Sequence, residues 1–174
     1  EGKGLTTDNT AEDKNGYTKL EHQYDEGFGY FGATVDYLAY NDKEIAAKVK
    51  TEEDGREAYN GKHDFNGDGE YDLLSEVIFG AAANAAKRDL GTVGNANPTD
   101  LTKETMEAFI AGRKIINDNV LSALTDEQLD ALYAQRDIAI GGWEKALAAT
   151  AIHYINDLRA DLEPISTGEG EFNF

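Results

Sequence analysis

The sequence predicts an all-α protein, an antiparallel helical bundle with no convincing strand. Three stretches support this prediction, because their apolar side chains recur every three or four residues, which is the spacing of one helix face. These stretches cover residues 17–35, 73–90 and 125–162. A length of 174 residues favours a single domain around one core.

The first predicted helix follows a polar segment, residues 1–16, whose near lack of apolar side chains is typical of a mobile arm or of the remnant of an excised loop. Three glycines interrupt the helix, and each lowers helix propensity by about 1 kcal/mol relative to Ala. We therefore expect a backbone or a ligand to pack closely against Gly27, Gly29 and Gly32. The predicted core face of this helix consists of Leu20, Tyr24, Phe28, Phe31 and Val35.

The middle of the chain is predicted to alternate helices with loops. A short helix is expected over residues 42–49, and a polar loop follows up to residue 62. A longer helix with an alanine-rich face is expected to begin at Leu73, directly from the next loop, and to end near Leu90.

Two further helices are predicted after a Gly/Asn/Pro loop. Asp100 or Thr102 is expected to cap the first of them. Thr125-Asp126-Glu127-Gln128 is a capping box at the start of the second, which should run to Pro164 with a kink at Gly141-Gly142. The predicted organisation is a flexible arm at 1–16, a bundle domain at 17–163 and a flexible tail at 164–174.

The charge of the chain excludes some partners. Acidic side chains number 34 against 16 basic ones, for a net charge of −18, which favours cations and repels nucleic acid and anionic lipid. The absence of cysteine excludes disulfides and thiolate metal sites. No apolar run reaches the ~18 residues of a membrane span. The start Glu1-Gly2-Lys3-Gly4 is typical of a trimmed product, compatible with an export signal removed earlier.

The segment from Asp64 to Glu76 has the residue spacing of a calcium-binding loop. Calcium takes six to eight oxygen ligands, placed in such loops at positions 1, 3, 5, 7 and 9. Gly69 at position 6 permits the sharp turn. Position 12 departs from the EF-hand pattern, because it is Ser75 and the carboxylate of Glu76 comes one residue later. The predicted ligands are Asp64, Asn66, Asp68, Glu70 through its backbone carbonyl, Asp72 and, where the loop closes differently from an EF-hand, Glu76.

The motif of this loop has two other interpretations. Asn, Asp and Gly also favour surface turns without any metal, although carboxylates packed this closely repel one another in the absence of a cation. Calcium-binding repeats of β-propellers contain a similar motif. The single copy in this chain is followed by a helical pattern, which argues against a propeller.

A second candidate site lies on the first predicted helix. His22, Asp25 and Glu26 are spaced so that they share one helix face. One imidazole with carboxylates suits iron, manganese or zinc better than calcium, and bundles build such sites between facing helices. His153, with Asp157 four residues later, is the expected partner. The alternative is an exposed His-Asp pair on a solvated face.

Three arginines stand among apolar residues: Arg113, Arg136 and Arg159. They are expected either to neutralise carboxylates such as Asp25 or Glu144, or to extend to the surface. The common hydrolase and nucleotide-binding fingerprints do not occur in the sequence.

Several segments together resemble the bacterial family called domain of unknown function 4856, which is related to imelysin. They are residues 20–32, the calcium loop running into Leu73-Leu74-Ser75-Glu76, 84–89, 143–146 and 151–157. The resemblance implies an all-helical, imelysin-like fold of paired bundles in an exported, periplasmic or outer-membrane-anchored protein, often with a lipid anchor on the precursor. It also implies that this chain is the central to C-terminal part of a longer one, whose remaining segments would complete the bundle as its partners.

Imelysin-like proteins carry a Gly-x-His-x-x-Glu motif linked to metal binding and often to iron uptake. Its counterpart in this chain is His22 with Asp25 and Glu26, where Leu20 replaces the Gly and the Glu comes one residue late. Three hypotheses follow. The protein is an envelope metal-binding protein holding Ca²⁺ and Fe, Zn or Cu; or a metallopeptidase with Glu26 or Glu144 as general base; or a structural, calcium-stabilised interaction module.

Overall fold

The computed structural model describes residues 4–56, 64 and 66–168. Over these residues the chain is all-α, as predicted, and holds no strand beyond one isolated bridge between Glu12 and Thr18. The helices are α1 (Lys19–Phe31), α2 (Asp42–Ile45), α3 (Gly80–Thr92), α4 (Leu101–Asp118) and α5 (Asp126–Ser166), with a 3-10 turn at Tyr37–Ala39.

The first helix, α1, is fixed at both ends by local chemistry. The Thr18 hydroxyl accepts the Glu21 N–H, and the Glu21 carboxylate accepts the Thr18 N–H, which forms a capping box. The helix ends at Gly32, whose φ of 87° is left-handed. A Cβ at this position would lie 2.4 Å from the carbonyl oxygen of Phe79, whereas Gly27 and Gly29 have no such neighbour within 4 Å. Close packing is therefore confirmed at Gly32 alone.

The core lies where α1 and α3 pack against the pair formed by α4 and α5. The Phe109 ring on α4 contacts the rings of Tyr24, Phe28 and Phe31 on α1. One turn before Phe109 on α4, a Cβ at Gly142 of α5 would lie 2.1 Å from the Thr105 hydroxyl oxygen. The glycine thus permits the two longest described helices to pack closely.

The helix after the acidic loop begins at Gly80, and the predicted start at Leu73 is wrong. Residues 73–76 form turns instead. The Phe79 N–H donates to the Gly32 carbonyl at 3.0 Å, and Gly80 takes a left-handed φ of 59°, so the chain turns into α3 only after it has passed the end of α1. The alanine face is confirmed as buried at Ala81, Ala82, Ala85 and Ala86. Similarly, α2 is shorter than predicted, because Ala47 is left-handed with φ 53°.

Residues 4–16 make specific contacts that the mobile-arm prediction did not anticipate. The Asn9 side chain is buried, donates to the Asn119 carbonyl at 2.8 Å and accepts the Thr18 hydroxyl at 2.7 Å. The Leu20 N–H donates to the Asp8 carbonyl. This segment therefore links the start of α1 to the end of α4.

The last helix, α5, begins at the predicted Thr125 capping box and is continuous across Gly141-Gly142. It passes Pro164 and ends two residues after it, at Ser166, while residues 169–174 of the predicted tail lie outside the described residues. Residues 151–164 are all exposed. None of the helices in the described part of the chain is long and apolar enough to cross a membrane.

Candidate metal centre

The acidic loop is held by hydrogen bonds from its own backbone amides to its acidic and amide side chains. Asp64 accepts the N–H groups of Gly67 at 2.7 Å and Gly69 at 3.0 Å. Asn66 accepts the Asp68 N–H at 2.9 Å, and Asp68 accepts the Glu70 N–H at 2.8 Å. The contacts of Asn66 and Asp68, each with the N–H group two residues on, are the Asx turns that Asp and Asn favour. The predicted ligand residues thus lie on one tightly turned backbone.

Two glycines make this turn feasible. Gly67 and Gly69 have φ values of 76° and 85°, in the left-handed region that a residue with a Cβ adopts only at a cost. At both positions an added Cβ would have no neighbouring atom within 4 Å, so close packing does not explain either glycine. Their role is therefore conformational, as predicted for Gly69.

Glu76 closes the loop, although it stands one position after the usual closing carboxylate. Its side chain is buried, and its two carboxylate oxygens accept the N–H groups of Asn66 at 3.2 Å and Asp72 at 3.0 Å. Ser75, at the usual closing position, donates its hydroxyl to Asp72 at 2.8 Å. The Leu74 N–H and then this hydroxyl lower the pKa of Asp72 below its usual value. The two ends of the loop are therefore joined through one buried carboxylate.

The exit of the loop is bound to the end of α1 and the turn after it. Val35 donates its N–H to the Leu74 carbonyl at 2.9 Å, and the Tyr40 hydroxyl donates to the Ser75 carbonyl at 2.7 Å. Leu74 and Val35 also line one edge of an apolar groove of about 800 Å³ formed mainly by α1 and α4, with Phe28 and Phe109 in its lining. The conformation of the loop therefore determines where this edge of the groove lies.

The donor set fits calcium in its chemistry, since every predicted ligand offers oxygen. In the described residues, however, no three or more His, Asp or Glu side chains come close enough together to hold an ion. The loop carboxylates bond to amides rather than converge on one point. Ion binding would therefore have to draw them together, and calcium at this loop stays a prediction.

The predicted cluster on α1 has a different set of contacts. The His22 ring stacks on Tyr17 with centroids 5.3 Å apart. Asp25 accepts the Arg113 Nε–H at 2.8 Å, while Glu26 accepts weaker bonds from Gln23 and Tyr30 at 3.3 and 3.4 Å. The ion pair between Arg113 and Asp25 is one that the sequence suggested.

His153 lies on the exposed part of α5, where its Nε2 is 3.2 Å from Asp157. This is the local pair that the sequence suggested as the alternative to a metal site. No contact in the described residues brings His153 into a metal-binding group with His22. A transition-metal site at these residues stays a prediction without geometric support.

Sequence reasoning missed the role of Glu21 beside this cluster. Glu21 caps α1 and is 3.1 Å from Arg113 Nη2. Burial alone would raise the pKa of Glu21, but the Thr18 N–H and the Arg113 guanidinium outweigh it and lower that pKa. The signal was available in the spacing Thr18-x-x-Glu21, which is a capping box.

Sequence reasoning also missed an acidic pair between α2 and α3, of which one member is buried and the other half-buried. Asp89 of α3 is almost fully buried and accepts the N–H groups of Leu101 and Thr102, both at 2.9 Å, so that it caps α4 from another helix. Asp42 of α2 lies nearby and accepts the Thr102 hydroxyl. Burial and the Asp89 carboxylate raise the pKa of Asp42 from 3.8 to about 6.

The raised pKa of Asp42 predicts a pH dependence of stability. Because the folded protein binds this proton more tightly than the unfolded chain, the free energy of unfolding should rise as the pH falls from about 6 towards 4. We expect Asp42→Asn to stabilise the protein by about 1 kcal/mol at pH 7.5 and to add nothing at pH 4. Urea unfolding at pH 7.5 and at pH 4 measures the free energy of unfolding of both proteins. If Asp42→Asn changed this free energy equally at the two pH values, the raised pKa of Asp42 would be contradicted.

Comparison with protein-family models, with curated proteins and with solved structures gives no match to this chain. The resemblance to the imelysin-like family therefore stays an expectation drawn from the sequence motifs.

Proposed function

We propose that the protein is a calcium-stabilised, helical interaction module, in which the loop from Asp64 to Glu76 holds the ion. The observation that carries this proposal is the buried position of Glu76, whose carboxylate joins the two ends of the loop. A bound calcium would supply the positive charge that offsets the repulsion between Asp64, Asp68 and Asp72.

The attachment of the loop to the turn that follows α1 supports the link between the ion and the binding surface. Leu74 donates its N–H to Asp72, a predicted ligand, and accepts the Val35 N–H through its carbonyl. Both Leu74 and Val35 line the apolar groove. A fixed loop would therefore hold that edge of the groove in place, which is the role of a structural ion rather than a catalytic one.

The cellular setting is proposed from the resemblance alone. We propose that the protein is exported and works in the bacterial envelope, as the imelysin-like family implies. The transition-metal hypothesis uses His22, Asp25 and Glu26 as ligands, and the metallopeptidase hypothesis adds Glu26 or Glu144 as general base. Of these side chains, Asp25 is already paired with Arg113 at 2.8 Å. These contacts favour the interaction module over both.

Calcium is expected to stabilise the protein against unfolding. At 100 times its dissociation constant, an ion that binds only the folded state adds about 2.7 kcal/mol to the free energy of unfolding. We expect Asp68→Asn to lower calcium affinity about tenfold or more, because it removes one charged ligand while keeping the side-chain shape. Titration calorimetry, with thermal unfolding in calcium and in chelator, measures both quantities.

The matched control is Asp161→Asn, which removes the same charge from an exposed position on α5. It should leave calcium affinity unchanged. Melting that is indifferent to chelator, or equal loss of affinity in both variants, would contradict the proposed site. Elemental analysis of the same samples, with His22→Ala beside them, tests the predicted transition metal.

A further inference from the structure

The second half of α5 presents an apolar stripe that nothing in the described chain covers. Its members recur at intervals of four, four, three and four residues, so they lie on one face of the helix. We call this face the α5 stripe, and it consists of Leu147, Ala151, Ile155, Leu158 and Leu162. The large side chains in and beside the stripe, including Tyr154, are between 40 and 65 % exposed.

The stripe faces away from the rest of the protein. The α5 residues that are buried against the other helices are Leu132, Ala139, Gly142 and Ala146. At 100° per residue, Leu147 and Ile155 lie on the opposite side of the helix from Gly142. After Ala146 no described residue of α5 is buried. A helix segment of this length is only marginally stable in water on its own. Contact between its apolar face and a partner would stabilise it.

The composition of the stripe indicates which partner. In a chain with 29 % charged residues, the ten residues 147–156 contain no Asp, Glu, Lys or Arg. Depletion of charge is typical of the core of a protein–protein interface. A basic partner would be held by acidic side chains along the contact, and the stripe has these only after residue 156, at Asp157, Asp161 and Glu163. Two copies of a chain with net charge −18 repel each other least when the surfaces that meet carry no charged side chains.

We propose that the α5 stripe is the contact surface between two copies of this chain, with their α5 helices antiparallel. A two-fold contact of this kind uses the same patch on both copies. When residues 147–156 of one copy lie antiparallel to the same ten residues of the other, Glu144 and Arg159 each stand three residues outside the stretch. Glu144 of each copy is then level with Arg159 of the other.

The charges at these two positions are free to serve this contact. Glu144 and Arg159 are both exposed, and neither forms an ion pair with any other residue that the structure describes. Glu144 precedes Leu147 by three residues and Arg159 follows Ile155 by four, so both lie on or beside the stripe. Antiparallel pairing would therefore form two symmetric ion pairs at its ends.

The first test is sedimentation velocity over a concentration series. A helix pair of this length lies near the lower limit of specific interfaces, about 1,200 Å² in total, so the dimer should dissociate on dilution. We expect Ile155→Asp to weaken association about tenfold or more, a loss of roughly 1.4 kcal/mol. Ala160→Asp adds the same charge on the exposed opposite side of the helix and should leave association unchanged. Circular dichroism verifies that both variants keep their helix content.

The second test examines the antiparallel register. Glu144→Arg and Arg159→Glu should each weaken the dimer several-fold, because each places like charges opposite one another. The double variant exchanges the two charges and should recover wild-type association. A chain that stays monomeric at about millimolar concentration would overturn the proposal and leave the stripe to a different partner. Equal dimerisation of Ile155→Asp, or no recovery in the double variant, would overturn it as well.

Discussion

Gly32→Ala is expected to destabilise the protein by about 3 kcal/mol or more, the combined cost of a left-handed residue and of a clash with backbone. Gly32 has φ 87°, and an added Cβ would lie 2.4 Å from the Phe79 carbonyl oxygen and 3.0 Å from its carbon. Neither atom is the end of a flexible side chain. The backbone that connects α1 to the exit of the acidic loop would have to move.

The matched control is Gly29→Ala, in the same helix. Gly29 has no neighbour within 4 Å and lies inside α1, where Ala is favoured over Gly by about 1 kcal/mol. We therefore expect opposite signs from the two substitutions, measured as the free energy of unfolding in urea. A Gly32→Ala variant as stable as the parent would show that the close approach of α1 to Phe79 is not present in solution. Destabilisation by Gly29→Ala would show that the control position is not open, which contradicts the space found there.

This pair of glycines illustrates what the sequence could and could not predict. The helix and its apolar face follow from periodicity, which is a local property of α1. Close packing was predicted equally at Gly27, Gly29 and Gly32, because the sequence does not reveal which glycine another segment approaches. Only the fold places Phe79 against the end of α1. Similarly, the alanine face of α3 was predictable, but its start at Gly80 depends on that same contact.

In the candidate metal centre, too, the features that depend on local spacing were predictable and those that depend on the fold were not. The spacing of Asp64, Asn66, Asp68 and Asp72 is local, and it predicted a turned loop that the structure contains. The closing residue could not be assigned, because a choice between Ser75 and Glu76 depends on how the chain folds back. The partner of His22 was beyond the sequence for a similar reason. A face on one helix does not specify which residues on another helix meet it.

Asp89→Ala is the second substitution expected to have a large effect, because Asp89 caps α4 although it belongs to α3. Its carboxylate accepts the Leu101 and Thr102 N–H groups, both buried, at 2.9 Å. Bonds to a charged acceptor contribute about 1.5–3 kcal/mol each, and the substitution leaves both donors without a partner. Relief of the repulsion felt by Asp42 offsets part of this loss. We expect a net destabilisation of about 3 kcal/mol in urea unfolding at pH 7.5.

The sequence assigned this capping role to Asp100 or Thr102, and Asp100→Ala is therefore the control. Asp100 is exposed and immediately precedes α4, but its side chain bonds to no helix N–H and accepts only the Thr102 hydroxyl at 3.3 Å. We expect Asp100→Ala to cost less than about 0.5 kcal/mol, the usual limit for surface substitutions. If Asp100→Ala destabilised the protein more than Asp89→Ala, α4 would be capped by Asp100, the residue directly before it. The role of Asp89 on α3 in capping α4 would then be contradicted.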